Sequence, residues 1–432
     1  MATKRKASED LASPSSQGSM VKHQGRLINR LKHFTWANYT LPMSTGGIAL
    51  LISVQPHTFT GLHTIGKFVY IFDIFLFTVI TAAIIFRFCH FPGTLKKSLT
   101  HPTESLFFAT SLLSLSNIIT CIAHYGIPEC GPWLVVVYRI LFWIYFAITF
   151  ISGIAQYFLL FSDPRLKIQD MTPAWDLPIF PFMLCGTVAS AGIKYQPPEH
   201  AMPMLVAGLV GQGVGFIISI LMYAAYIRRM IQYGLPSPSS RPGMFIAVGP
   251  PSFTVLALIG LAKNFPTTAT YFGPVESTKQ ILTVMSTFIG VFLWGLSFWF
   301  FAITLLAILA CARELTFHLN WWAFIFPNVG FTIATINIGA AFDSKGIQWV
   351  ASVMSVTLVA TYLFVGVMHV RALMQRQILW PGKDEDVHTD QRLLKREKED
   401  LYRRRSVEET GSMLSRTEVE RAEVLEDLRY MN

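Results

Sequence analysis

Between about Phe34 and Val370 the chain is a succession of apolar runs. Each is long enough to cross a bilayer, which takes about 20 residues. A segment in lipid must pair every backbone N–H and C=O inside the protein, and a helix does so within itself. An all-α polytopic membrane protein is therefore expected. Composition agrees: 14% of the 432 residues are charged and 52% are apolar, against about 25% charged in a soluble domain. Ten spans are predicted: Phe34–Val54, Phe68–Phe88, Ser105–Ala123, Trp133–Phe161, Leu177–Ile193, Met202–Ile227, Met244–Ala262, Leu282–Ala310, Trp321–Ala341 and Ile347–Val370. The first run starts after more than 30 polar residues, too late for a cleavable signal peptide.

Lysine and arginine orient the spans. Loops after even-numbered spans carry nine, among them Arg87, Arg165 and Arg228, and loops after odd-numbered spans carry five, among them Lys67 and Lys345. Both tails add to the side of the nine, so both termini are expected in the cytoplasm. The net charge of +9 thus flanks a membrane domain and does not point to nucleic acid. Residues 1–33 read as a disordered basic cytoplasmic tail, 34–372 as the ten-helix transporter domain, and 373–432 as a charged cytoplasmic tail. Within that last tail, Thr417–Leu428 can form a helix with faces of alternating sign. Cys89, Cys121, Cys130, Cys185 and Cys311 show no CxxC or CxxH spacing. Neither a metal site nor a disulfide framework is supported, and no cofactor is expected.

Four odd-numbered spans carry a proline beside small polar residues: Pro42, Pro181, Pro251 and Pro327. A proline inside a helix removes a backbone hydrogen bond and kinks it, so these four are read as structural kinks. Pro42 and Pro181 lie 139 residues apart, and the next two gaps are 70 and 76. The missing position, near residue 112, falls in the third span. That span has no proline but carries a polar stripe of Thr110, Ser114, Asn117, Cys121 and His124, which share one helical face.

The chain therefore reads as five helical hairpins, each with a polar first helix and a greasier second one. Repeats that cannot bury a polar face alone bury it against each other. Five such faces would make a central pore with the odd-numbered helices inside. Broken helices at mid-membrane aim their positive N-terminal ends at the cavity, which suits an anion. For one span alone, small residues and prolines are explained equally well by close helix packing; the near-even spacing of four favours the pore. Within Trp321–Gly330, WWAFIFPNVG, Phe326 directly precedes Pro327. A ring at that bend is a candidate gate. The comparable positions hold Leu41, Phe180 and Gly249 or Pro250, which leaves Phe180 as the competing gate.

These stretches resemble a known family. His33-Phe34-Thr35-Trp36, with Pro42-Met43-Ser44-Thr45-Gly46-Gly47, is similar to the opening of fungal malate permeases, as is Phe245 through Ser252. Trp321-Trp322-Ala323-Phe324 and Phe326-Pro327 look like the matching span of plant slow anion channels and bacterial tellurite-resistance proteins. Together these form the tellurite-resistance/dicarboxylate transporter family. The resemblance implies ten helices in five hairpins around a pore, a homotrimer, and a pore-occluding phenylalanine at Phe326. It implies anionic substrates: dicarboxylates, sulfite, nitrate or chloride. Sulfite pumps carry Met-Gly-Thr-Gly in the first span; here Ser44 replaces the first glycine and Gly46-Gly47 follow Thr45. That favours C4-dicarboxylates, chiefly malate with succinate, carried across a fungal plasma membrane.

Ionisable residues inside a membrane are costly, about 2.5–3.5 kcal/mol each on insertion scales, and are functional candidates by default. Arg139 and Arg87 are candidate substrate ligands, since a guanidinium binds carboxylates through two parallel donors. Each has a structural alternative: Arg139 pairing with Asp73, and Arg87 reaching the headgroups. Asn328 and Thr332 share a face with Thr335 beside Phe326 and are read as pore-lining, together with Ser114, Asn117, Ser44 and Thr45. His124 and Asp73 are the candidates for proton coupling. A sulfite or small-anion exporter of the same fold is the rival reading. An enzyme is not expected, because the eleven histidines form no HxxH or HxxxH pair.

Overall fold

The computed structural model describes residues 30–101, 103–162, 167–266 and 273–378, so the helix read at Thr417–Leu428 and nearly all of both tails lie outside it. Every regular element among the described residues is helical. Ten principal helices follow in chain order: α1 Thr40–Ser53, α2 Leu62–His90, α3 Phe108–Cys121, α4 Trp133–Phe161, α5 Cys185–Gly192, α6 Pro198–Tyr233, α7 Gly249–Lys263, α8 Val275–Leu309, α9 Phe326–Ala341 and α10 Lys345–Met374. Among the described residues, eight helical stretches are long and apolar enough to cross a membrane. The first and fifth expected spans are the two that fall short, because α1 has 14 residues and α5 has 8.

The shortness has a common cause. Each odd-numbered segment opens with a 3₁₀ turn and then changes to α-helix: Trp36–Tyr39 before α1, Glu104–Phe107 before α3, Pro173–Asp176 ahead of α5, Pro238–Val248 before α7 and Leu319–Phe324 before α9. This corrects the reading of the prolines as interior kinks. Pro42 is the third residue of α1 and Pro251 the third of α7. Pro327 is the second of α9, and Pro181 the second of the short helix Phe180–Met183 that leads into α5. In the first turn a proline's missing N–H had no intrahelical partner to lose, and its fixed φ suits the helix. The prolines start helices, and the break is the 3₁₀-to-α junction. The third segment has the junction without the proline, since Phe108 begins α3 directly after the 3₁₀ turn.

Each odd helix packs on the even helix that follows it, and the odd helices pack on one another in chain order, α1 on α3, α3 on α5, α5 on α7, α7 on α9, with α9 returning to α1. Small residues permit the close approaches. On α6 the stripe Gly208, Gly211 and Gly215 lies against Ala189, Cys185 and Met183 of the fifth segment. The even helices face outward. The spanning window of α4 is 22% buried, whereas that of Leu319–Ala341 is 83% buried. Bulky side chains such as Phe158, Phe288 and Phe292 stand exposed on α4 and α8, which suits a surface solvated by lipid tails.

Candidate functional site: a cavity at five helix starts

One cavity touches all five odd-numbered segments. It is lined by Thr40 and Met43 from the first, Phe107, Thr110 and Leu113 from the third, Leu177 and Phe180 from the fifth, Ile246 from the seventh, and Leu319, Asn320, Ala323, Phe326 and Pro327 from the ninth. All of these lie at or within about two turns of the 3₁₀-to-α junctions. The cavity is therefore surrounded by helix starts, whose aligned peptide dipoles put partial positive charge at this end, while the 3₁₀ turns take up the N–H groups of Thr40, Phe108, Phe180 and Gly249. No lysine or arginine lines it. Whatever attraction it has for an anion comes from backbone dipoles and hydrogen-bond donors, which require less desolvation than a buried cation.

Phe180 and Phe326 both line this cavity, their ring centroids 6.1 Å apart. The structure thus brings the two candidate gates into one aromatic cluster. Phe253 completes it, stacked on Phe326 at 5.0 Å and edge-on to Phe180 at 5.7 Å. All three rings are buried. Glycines seat them. A Cβ on Gly249 would lie 2.5 Å from Phe180 Cζ, and one on Gly330 2.7 Å from Phe253 Cε2. A Cβ on Gly47 would lie 3.4 Å from Phe326 Cδ2. Phe253 escaped the sequence reading because it sits a turn further into its helix than Phe180 and Phe326 sit in theirs.

An anion needs donors, so each hydroxyl matters by where its single hydrogen goes. Thr40 gives its hydrogen to Ala37 O at 2.6 Å. Thr110 lies 2.7 Å from Phe107 O and 3.1 Å from Trp36 O. Thr332 bonds Asn328 O at 2.8 Å. Thr45 lies 2.9 Å from Leu41 O and 2.9 Å from the Tyr362 hydroxyl. Ser44 reaches Trp322 O at 3.4 Å. Of the predicted hydroxyl residues, Ser114 alone has a buried oxygen with no partner. Asn328 donates one N–H to Phe324 O at 2.9 Å and keeps a second. Asn320 lines the cavity, and its amide makes no hydrogen bond among the described residues. Sequence reasoning missed it because it precedes the apolar run and shares no periodic face.

The polar stripe of the third segment has a different use from the one expected. Asn117 Nδ2 donates to Met43 O at 2.8 Å, the Cys121 thiol to Gly46 O at 3.9 Å, and the Tyr125 hydroxyl to Ala49 O at 2.7 Å. The stripe is turned onto the α1 backbone, one carbonyl per turn, and Asn117 is not among the cavity residues. His124 ends the stripe inside a π-helical turn, Ile122–Gly126, half-buried and away from the cavity.

The two arginines also lie away from the cavity. Arg87 is buried and donates to Glu104 Oε1 at 2.6 Å and to Phe34 O at 3.0 Å, while Ser98 bonds the same carboxylate oxygen at 2.8 Å. Its charge is already matched, and the contacts tie α2 to the first and third segments. Arg139 is half-buried on α4 and makes no ion pair with Asp73. Asp73 is fully buried, its carboxylate packed against the Gly46 backbone and without a side-chain hydrogen-bond or ion-pair partner among the described residues.

Comparison with known proteins decides the family. Residues 33–370 match the family described as voltage-dependent anion channel. The chain belongs to that family. It is 41% identical, over 84% of its own length and 83% of the other's, to a malic acid transport protein of Schizosaccharomyces pombe. A sulfite efflux pump of Arthroderma benhamiae is 26% identical over 76% of the chain and 87% of that protein. The chain is thus a multi-pass membrane protein of a transporter and channel family, not of an enzyme family, in keeping with the resemblance read from its sequence.

Proposed function

We propose that the protein carries C4-dicarboxylates, chiefly malate and also succinate, through a pore formed by the odd-numbered helices of five hairpins and gated by Phe326, with Phe180 beside it. The carrying observation is a cavity of about 20 Å³, the space of about one water, lined by residues of all five odd-numbered segments and closed down by both rings. Identity to the malic acid transport protein supports the choice of solute. In this reading an anion reaches the cavity drawn by the dipoles, is held by Asn320, and passes when the Phe326 ring swings off Phe253. The transporter works as a homotrimer in the plasma membrane with both termini in the cytoplasm. Asp73, buried and without a side-chain partner among the described residues, is the group through which a proton would be coupled.

The test is flux of labelled malate, succinate and sulfite into proteoliposomes, with and without a pH gradient. Malate entry exceeding sulfite entry is expected. Sulfite crossing while malate does not would establish the rival reading, which the sulfite pump relative keeps in play. Phe326→Ala should raise malate flux; unchanged or lower flux in well-folded protein would remove the gate. Asp73→Asn should abolish any component driven by the pH gradient while leaving the rest.

A further inference from the structure

A second cavity lies on the outer wall, between the last helix and the first hairpin. Phe72 and Leu76 of α2 form one side, Leu363, Gly366, Val367, Val370 and Met374 of α10 the other, and Leu41, Trp322 and Tyr362 the floor. The walls belong to two of the least buried spanning helices, at 17% and 22%, so the groove opens where a bilayer surrounds the protein. Three polar side chains interrupt this apolar lining: His369 in its depth, Arg371 near the C-terminal end of α10, and Gln375 just beyond it.

His369 is 7% exposed, and its Nδ1 lies 3.2 Å from Trp322 Nε1. An indole nitrogen only donates, so Nδ1 must accept and the ring hydrogen sits on Nε2. That leaves an Nε2–H donor with no protein acceptor among the described residues, on a residue that lines the groove. Arg371 is exposed and has no carboxylate in an ion pair with it among the described residues. An apolar slot with one acceptor-seeking donor and one free cation at a helix end matches an acyl chain carrying ester and phosphate oxygens.

We propose that this groove holds the acyl chain of an anionic glycerophospholipid from the leaflet at the C-terminal end of α10, with lipid oxygens taken by His369 and Arg371. The occupant would touch the machinery of the central cavity. Trp322 accepts the Ser44 hydroxyl at its carbonyl and lies four residues before Phe326. Tyr362 is bonded to Thr45, and Leu41 immediately precedes Pro42. The bound lipid would therefore brace the starts of both α1 and α9. The inference does not depend on which anion is carried.

The experiment is lipid retention, read by native mass spectrometry of protein extracted from nanodiscs of phosphatidylcholine containing phosphatidylserine. Wild type should retain phosphatidylserine in preference to phosphatidylcholine. Gly366→Phe is the blocking variant, because a Cβ there meets no atom within 4 Å and the ring would fill the groove without disturbing the core. It should lose the retained lipid, while Arg371→Gln should lose the preference for the anionic headgroup and keep some retention. Equal retention of both lipids by wild type, or unchanged retention by Gly366→Phe, overturns the proposal. A Gly366→Phe protein that changes oligomeric state with lipid retention intact would mark the groove as an interface between copies, and the proposal would fail. Malate flux is not part of the readout, so loss of the dicarboxylate reading would leave this result standing.

Discussion

Asn320 is the one amide lining a cavity whose threonines have already spent their hydrogens on backbone carbonyls. A hydrogen bond to a charged partner contributes about 1.5–3 kcal/mol. Asn320→Leu should therefore weaken apparent malate affinity by about tenfold or more, since about 1.4 kcal/mol is one decade. Concentration-dependent uptake in proteoliposomes checks it, and Asn320→Gln should recover part of the loss. Arg87 makes the opposite case, a charge that serves architecture. Its pair with Glu104 is buried on both sides. Arg87→Met leaves the Glu104 carboxylate buried with Ser98 as its remaining partner, which should cost about 3–5 kcal/mol. Arg87→Met combined with Glu104→Met should recover most of that stability, as read by thermal unfolding in detergent. Flux per folded molecule should hardly change in either protein.

At the scale of elements, the short helix Phe180–Met183 that leads into α5 meets the start of α7 through one ring against one glycine. A Cβ on Gly249 would overlap Phe180 at 2.5 Å. Overpacking of this kind costs about 1–3 kcal/mol, so Gly249→Ala should lower thermal stability by that amount. Adding Phe180→Leu should return most of it, because the smaller side chain vacates the same space. The double-mutant cycle measures the coupling directly. The same junctions show what the sequence could tell. The hairpin repeat was legible because proline, the residue best suited to a helix start, recurs in four segments. Its role there was misjudged, since an apolar run gives no sign of where 3₁₀ ends and α begins. The third junction, at Phe107 and Phe108, was invisible for want of a proline. The polar stripe on α3 was found by its period. Period identifies a face but not what the face meets, and α1 offered carbonyls to it. Arg87 was misplaced for a related reason: its partner Glu104 lies one residue before the third expected span and has no spacing rule to betray it.

For the whole molecule, the alternation of odd and even helices fixes where each loop must emerge. Cys89 is the penultimate residue of α2 and Cys130 closes the third segment, so the proposed topology puts the two thiols on opposite faces of the membrane. Both are exposed, whereas Cys121, Cys185 and Cys311 are buried. The native cysteines therefore form a built-in topology probe. The proposed arrangement, with cytoplasmic termini, puts Cys130 outside and Cys89 inside. In intact cells a membrane-impermeant maleimide should modify Cys130 and spare Cys89; after permeabilisation it should modify both. Cys130→Ser should remove the first signal and Cys89→Ser the second, with transport retained because neither residue lines the central cavity. Labelling of Cys89 alone in intact cells would invert the orientation, as the lysines and arginines of the even loops argue against. Labelling of both without permeabilisation would mean that the third segment does not cross. The five-hairpin pore would then lose one of its walls.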